Sequence, residues 1–451
     1  MHICGILSEY GKNKFIIGVD FLTVITKELC PSVRSCFIKA ESFKIFRISV
    51  NMAVPLSRDT AAHYAVLSAM LSRLCHKYPD LTSMNRKLSE LYGAALTTDV
   101  LKHGDAQIIR LGITALDDRF ALEGEEISTM CAELLCEILT NPLLSDYCFR
   151  EEDVEREKRI ILEILDADDS EKRIYAQKKC IEYMCGDDVY GIDRLGTREQ
   201  ISALTAESVF EAWKTLLSKS VVQVNIIGNC DGEKISNLFA QAFTDFGRQT
   251  AFELTTKMHL CSGEVREFTE RQKVNQSKLV LGYSMGLEKE GENTSAYRVM
   301  CDLFGGSPHS KLFTNVREKL SLCYYCSSAL RKEKGIMIVQ SGILAEKKDT
   351  ALAEIANQLK KIQDGEFTED EMSASIKGLV DSFNSVYDSP ETLDSWCTSQ
   401  IKRKEIVTPE HTIAKIKAVT AEQVQQAAQK VRLDTVYFLQ GEEAKADAGN
   451  S

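Results

Sequence analysis

The sequence predicts an α+β fold built from two homologous domains in tandem, each a mostly antiparallel sheet covered by helices on one face. Three observations carry this. Ile201-Ser-Ala-Leu-Thr205-Ala206-Glu207-Ser208-Val209 recurs as Ile416-Lys-Ala-Val-Thr420-Ala421-Glu422-Gln423-Val424, 215 positions later. Each copy runs through a helical stretch into an apolar strand ending at Gly228 or Gly441, and Lys102-His103-Gly104 leading to Gly112-Ile113 reappears in the same order as Lys334-Gly335 leading to Gly342-Ile343. Finally, strands are followed by long helices with no regular βαβ alternation and no glycine-rich dinucleotide fingerprint. One echo alone would fit convergent helix-start grammar, since Thr420-x-x-Gln423 reads as a capping box. Two echoes in one order, with a period too long for a solenoid, imply whole duplicated domains.

In chain order, Lys14 to Val24 is strand-like and Ser42 to Val54 reads as the first strand of domain one, closed by Pro55. Asp59-Thr60 start a helix whose apolar stripe, Ala62, Val66, Leu67, Met70, Leu71 and Leu74, recurs at spacings of three and four. A second helix runs through Leu88 and Leu91 to Tyr92-Gly93, followed by strands over Ala95–Val100 and Gln107–Ile113. Helices fill much of 121–213. Within them Glu151–Lys172 is densely charged, reads as a solvated helix face, and offers Glu152→Arg156 and Glu155→Arg159 as supporting pairs. Val221–Gly228 and a helix over Ile235–Phe246 complete domain one, so the domains are 41–246 and 269–441 with a polar connection at 247–268. Domain two opens on Lys278–Tyr283, continues with a helix from Thr294 and the loop Gly305–Ser310, and adds long helices over 348–363 and 368–386. The polar tail from Glu442 to Ser451 is expected to fray.

Composition narrows the function classes. Net charge is −11 and the pI near 5.4, which argues against a broad nucleic-acid footprint. Neither a cationic, apolar leader nor a run of 18 uncharged apolar residues is present, so export and membrane insertion are not signalled. Fifteen cysteines without framework spacing suit reduced thiols in a cytoplasmic chain. The one C-x-x-C, Cys323-Tyr324-Tyr325-Cys326, lies in a strand-like stretch, where positions three apart face opposite ways, so its thiols should not meet. No nucleophile elbow or Walker loop occurs, and Gly305-Gly306-Ser307-Pro308 reads as a plain turn. Of the seven histidines, no two are four apart as a helical zinc pair requires. A relocated zinc site would use His63 or His76 with Glu163.

Leu303-Phe-Gly-Gly-Ser-Pro-His-Ser-Lys-Leu-Phe313 and Arg317-Glu-Lys-Leu-Ser-Leu-Cys-Tyr324, with Leu91-Tyr92-Gly93-Ala94, Gly196-Thr197 and Ile226-Ile227-Gly228-Asn229, resemble the pitrilysin/insulinase metallopeptidases, or inverzincins. The resemblance runs from about Phe43 to Gly441 and implies a fold similar to the mitochondrial processing peptidase. Active members carry H-x-x-E-H on the first helix of domain one, two histidines gripping zinc and the glutamate acting as general base. Here Ala65-Val66-Leu67-Ser68-Ala69 occupies that place, so Ala65, Ser68 and Ala69 stand where ligands and base would be. The family's third ligand corresponds to Glu163; read from its own surroundings, Glu163 is one more charge on an amphipathic helix. Zinc is therefore expected only in a partner subunit.

The second copy keeps a different part of the family's site. The resemblance gives Arg317 and Tyr324, seven residues apart, the task of holding a substrate carbonyl over a zinc ion, as fixed donors suited to an oxygen that gains charge. By residue chemistry alone, Arg317 would pair with a nearby carboxylate and Tyr324 would pack in a sheet. The resemblance thus implies a catalytically inactive subunit that pairs with a zinc-bearing paralogue, or with itself, and closes like a clamshell on extended peptides. Two alternatives stand beside it: a zinc peptidase with relocated ligands, and a non-enzymatic scaffold. One bacterial subgroup similar to this chain is linked with aminopentanol modification of elongation factor P, and no residue here explains that link.

Overall fold

The computed structural model describes residues 11–17, 20–261, 263–289 and 294–441. The N-terminal decapeptide and the tail from Glu442 fall outside these. Among the described residues no helix is long and apolar enough to cross a membrane. The chain folds as two compact units.

Unit 1 takes residues up to 165, then 193–255 and 384–411. Its sheet contains β1 (Gly11–Ile17), β2 (Asp20–Cys30), β3 (Val33–Lys39), β4 (Ile45–Pro55), β5 (Ala95–His103) and β6 (Ala106–Leu116). After a short hairpin of β7 (Leu144–Ser145) and β8 (Cys148–Phe149), β9 (Val221–Gly228) enters the same sheet, giving the order β1-β2-β3-β9-β4-β6-β5. Only β3 and β9 pair in parallel. Alternation on β4 sends Phe46, Ile48, Val50 and Met52 into a core roofed by the helices Ala61–Leu71, Ile127–Thr140, Ala206–Lys219 and Gly232–Phe246. Phe43 packs on the other face instead.

That other face mixes apolar side chains such as Cys36, Ile38 and Ile227 with a buried polar patch beneath helix Pro390–Thr398, which comes from the second half of the sequence. Arg47, Ser49 and Asn51 of β4, Arg110 of β6 and Asn225 of β9 all lie buried there. They converge on Asp394, which is fully buried. Arg47 Nε donates to its Oδ2 at 2.7 Å, Ser49 Oγ to Oδ1 at 2.5 Å and Asn225 Nδ2 to Oδ1 at 2.8 Å. A buried carboxylate is tolerated only when paired and hydrogen-bonded in this way.

Unit 2 takes 166–192, 256–383 and 412 onward. Its sheet is β10 (Arg266–Gln272), β11 (Ser277–Ser284), β12 (Cys323–Arg331), β13 (Ile336–Ile343) and β14 (Arg432–Gly441), in the order β10-β14-β11-β13-β12. This repeats β3-β9-β4-β6-β5 strand for strand, including the one parallel pair, β10 with β14. The repeated sequence signature has the same job in both units: Thr205 and Thr420 each cap a helix with a reciprocal capping box, over Ala206–Lys219 and Ala421–Lys430. Helix Lys172–Cys185, from the first half of the sequence, covers the outer face of this sheet, and Gly282 admits it, since a Cβ there would come within 2.6 Å of Met184 Sδ.

Several expectations change. β10 begins at the end of what reads as a polar connection and runs past Thr269, and each compact unit draws a helix from beyond the sequence boundaries 41–246 and 269–441. Gly305 and Gly306 belong to a π-helical turn, Asp302–Gly306, rather than to a plain loop. The charged helix Glu151–Ser170 is not wholly a solvated face, because Asp153, Glu157 and Lys158 are buried. Burial raises the Glu157 carboxyl against the pull of Arg73 and Arg156. Arg156 accordingly turns back to Asp153 at 2.7 Å and to Glu157 at 3.0 Å, and Lys158 takes Glu155, displacing the pairs read from spacing.

Asp434 on β14 gives unit 2 a pH-dependent contribution. Burial opposes its charge, but His259 at 3.1 Å, Thr435 at 2.7 Å and Arg266 at 2.5 Å outweigh that and bring the carboxyl down to about 2. A depressed carboxyl stabilises the fold above its unfolded pKa and loses that contribution as pH falls through its folded value. Replacement Asp434→Asn is expected to remove about 2 kcal/mol at neutral pH. It should also flatten the fall in urea midpoint between pH ~4 and ~2; an unchanged acid profile would contradict the assignment.

Candidate functional site

The two halves of the site read from the sequence have different fates. On helix Ala61–Leu71, Ala65 and Ser68 are buried in the unit 1 core and Ala69 packs partly buried against it. Glu163 is exposed on Glu151–Ser170, His76 is exposed, and His63 is half-buried with its imidazole pKa lowered by burial. Among the described residues, no three His, Cys, Asp or Glu side chains gather where a metal ion could sit. The residues do not fit zinc: an alanine methyl cannot donate, and three protein ligands are needed. The relocated set of His63, His76 and Glu163 is not assembled either. A small cleft, with only about 20 Å³ open to a water-sized sphere, lies beside the end of this helix, lined by Met70, Leu74 and Phe149, and its charges, Arg73, Asp153, Arg156 and Glu157, pair among themselves.

Unit 2 holds the other half in the segment linking helix Thr294–Cys301 to β12. After the turn at Asp302–Gly306 comes a second π-helical stretch, Leu312–Lys319. π-Helical turns are rare and concentrate at functional sites. Gly305 is required here, since a Cβ would come within 2.7 Å of Leu312 Cδ1 and 2.8 Å of the Ser328 nitrogen. The second stretch is pinned by buried Lys311 on Glu371 at 3.0 Å and by Asn315 on Gln358 at 2.9 Å.

Arg317 projects from this pinned stretch. Its guanidinium lies 4.5 Å from the Phe313 ring centre and 3.4 Å from Glu318, with 41% of the side chain exposed. An ion pair this exposed holds the arginine weakly, so the group is available to other partners. Its backbone carbonyl accepts the Ser321 N–H at 3.1 Å, and Ser321 turns the chain at φ +47° into β12. Tyr324 follows at a bulge in β12 and is 63% exposed, not packed in the sheet. Leu320 and Leu344 are also exposed.

Cys323 and Cys326 contradict the face rule. Tyr324 is an extra residue in the ladder, so Cys323 pairs with Ile343 and Cys326 with Ser341, positions two apart on β13. The bulge thus carries both side chains to one face, where both enter the unit 2 core. Sequence spacing alone cannot reveal a register shift.

Comparison with known proteins places this architecture. Residues 203–379 match a family model described as the Peptidase M16 inactive domain. The chain is 28% identical over 411 residues to a protein of Bacillus subtilis named probable inactive metalloprotease YmfF, covering 90% of this chain and 95% of that one. Among solved structures, a conserved protein from Enterococcus faecalis V583 has a TM-score of 0.85 at 27% identity, covering 93% of this chain and 99% of that chain. A peptidase M16 inactive domain from Pseudomonas fluorescens has the same fold, with a TM-score of 0.77 at 15% identity over 93% of this chain and 98% of its own.

Proposed function

This chain is an inactive-type homologue of the pitrilysin/insulinase (M16) metallopeptidases, without their zinc motif, and from that premise we propose that it serves as a non-catalytic subunit of a peptidase. It pairs with a paralogue bearing H-x-x-E-H, which supplies the zinc, and it supplies Arg317 and Tyr324 to an extended peptide. The carrying observation is the contrast between copies: Ala65, Ser68 and Ala69 fill the first helix, while Arg317 and Tyr324 stand exposed on unit 2. A guanidinium and a phenol on a pinned segment are preorganised donors for a carbonyl oxygen that gains charge as water adds to it. No disulfide joins any of the described cysteines, which supports a reducing, cytoplasmic setting.

The test is co-purification with a zinc-bearing paralogue, followed by peptide turnover by the complex. Arg317→Ala and Tyr324→Phe are each expected to lower kcat/KM about 100-fold, with complex formation and zinc content unchanged. A chain that binds no such paralogue refutes the pairing. Unchanged turnover in both variants would leave a scaffold as the better account.

A further inference from the structure

Gly112 and Gly342 hold one place in the two repeats, and the charges gathered around them differ. In unit 1, Gly112 pairs with Ser49 of β4 and Thr97 of β5, and the Arg47 guanidinium lies over it, so that a Cβ there would come within 2.8 Å of Arg47 Nη2. In unit 2, Gly342 pairs with Lys278 of β11 and Tyr325 of β12, and a Cβ would come within 2.5 Å of Tyr325 Cε1 and 2.7 Å of Gln276 Oε1. Lys278 thus stands where Ser49 stands, and Gln276, two residues before it, where Arg47 stands. Ser49 and Arg47 both donate to the Asp394 carboxylate, which the covering helix of unit 1 supplies. The covering helix of unit 2, Lys172–Cys185, brings a second cation, Arg173, to the same place.

Both cations are set against one aromatic ring. The Arg173 guanidinium lies 4.6 Å from the centre of Tyr325 and the Lys278 ammonium 5.7 Å from it. Their orientation is fixed by neutral amides, since Arg173 Nε donates to Gln340 Oε1 at 2.9 Å and Lys278 Nζ to Gln276 Oε1 at 2.6 Å. Among the described residues neither forms an ion pair. The acid that acts on Lys278 through space is Glu171, whose Oε1 accepts the Arg173 backbone N–H at 3.1 Å. Two cations against one acid leave a single net positive charge.

We propose that Arg173 and Lys278, aligned on the Tyr325 ring, form a binding site for a carboxylate ligand on the outer face of the unit 2 sheet. The ligand takes the part that Asp394 plays in unit 1. The site does not depend on pairing with a zinc-bearing subunit. Guanidinium nitrogens held at Nε leave the terminal fork for a planar carboxylate, and an ammonium with one hydrogen engaged keeps two to donate. Burial pulls the Lys278 amine below its ordinary range, and Arg173 adds to this against Glu171. A bound anion reverses that pull. Lys348 provides an internal contrast, because it also lies over a ring, 5.4 Å from the centre of Phe438, but has its own carboxylate in Glu267 at 3.4 Å.

The experiment titrates the full-length chain, carrying lysine labelled with carbon-13 at Cε, with sodium acetate at constant ionic strength. The Lys278 resonance is identified by its loss in Lys278→Gln. The expected result is a saturable shift of that resonance and a higher titration midpoint for the amine when acetate is bound. Arg173→Gln should weaken binding at least about tenfold, and Lys348→Gln should leave it unchanged. Gln276→Glu sets a carboxylate on the Lys278 ammonium, so it should abolish acetate binding and raise the urea midpoint. A capped peptide with one glutamate distinguishes the sources of the group: binding tighter than acetate marks a peptide side chain as the ligand, and equal or weaker binding marks a free organic acid. A shift that never saturates would overturn the proposal, as would acetate binding that survives in Arg173→Gln or Gln276→Glu. Inorganic phosphate binding more tightly than acetate would overturn the carboxylate assignment.

Discussion

Replacing Asp394 with alanine is expected to cost unit 1 about 3–5 kcal/mol, the usual consequence of leaving a buried charge without its partner. Arg47 would lose its 2.7 Å ion pair and Arg110 its neighbour at 3.8 Å, both in a space with little room for water. Ser49 and Asn225 would lose an acceptor as well. Because the carboxylate belongs to Pro390–Thr398, the damage should appear as release of that helix, read as faster amide exchange along it and a lower urea midpoint. Asp394→Asn keeps an oxygen acceptor and should cost less. The double replacement Asp394→Leu with Arg47→Met should recover much of the loss, since an apolar pair replaces an ion pair. A loss below about 1 kcal/mol for Asp394→Ala would mean that solvent reaches the guanidinium groups.

Rebuilding the zinc motif is the second large effect, and its sign is unfavourable. The triple variant Ala65→His, Ser68→Glu, Ala69→His is expected to lose at least about 3 kcal/mol and to bind no stoichiometric zinc. Ala65 is fully buried and Ser68 nearly so, between Val66, Leu67 and the sheet, so the longer side chains must displace packed neighbours or sit unsatisfied. The nearest counterpart of a third ligand, Glu163, is on the exposed side of its own helix. Thermal unfolding and metal analysis of the purified variant decide the matter. A stable triple variant holding one zinc would mean that only the side chains, and not the surroundings, have been lost.

The duplication was legible because it rests on local signals. A threonine cap and a reciprocal bond to the third residue act within one helical turn, so Thr205 and Thr420 announce their helices without tertiary context. β10 was not legible: Arg-Glu-Phe-Thr-Glu-Arg-Gln is charged as an edge strand is, and only its parallel partner β14, more than 160 positions on, makes it a strand. Asp153, Glu157, Lys158 and Asp394 look solvated in sequence, and what neutralises Asp394 lies on strands far away along the chain. The site divides in the same manner. Arg317 and Tyr324 were named by family resemblance and their spacing, whereas the shared face of Cys323 and Cys326 depends on a bulge set against β13.

The exchange of covering helices has a consequence during synthesis. The last sheet strand of unit 1 ends at Gly228, but the helix that carries Asp394 starts at Pro390. At roughly 5–20 residues per second, the ribosome leaves the cationic face of that sheet open for roughly 8–30 s. Over that interval Arg47 and Arg110 lack the counter-ion they are built around. The first repeat is thus translated long before it can be finished, and a gene fragment cut at the linker would encode a sheet with one bare, positively charged side.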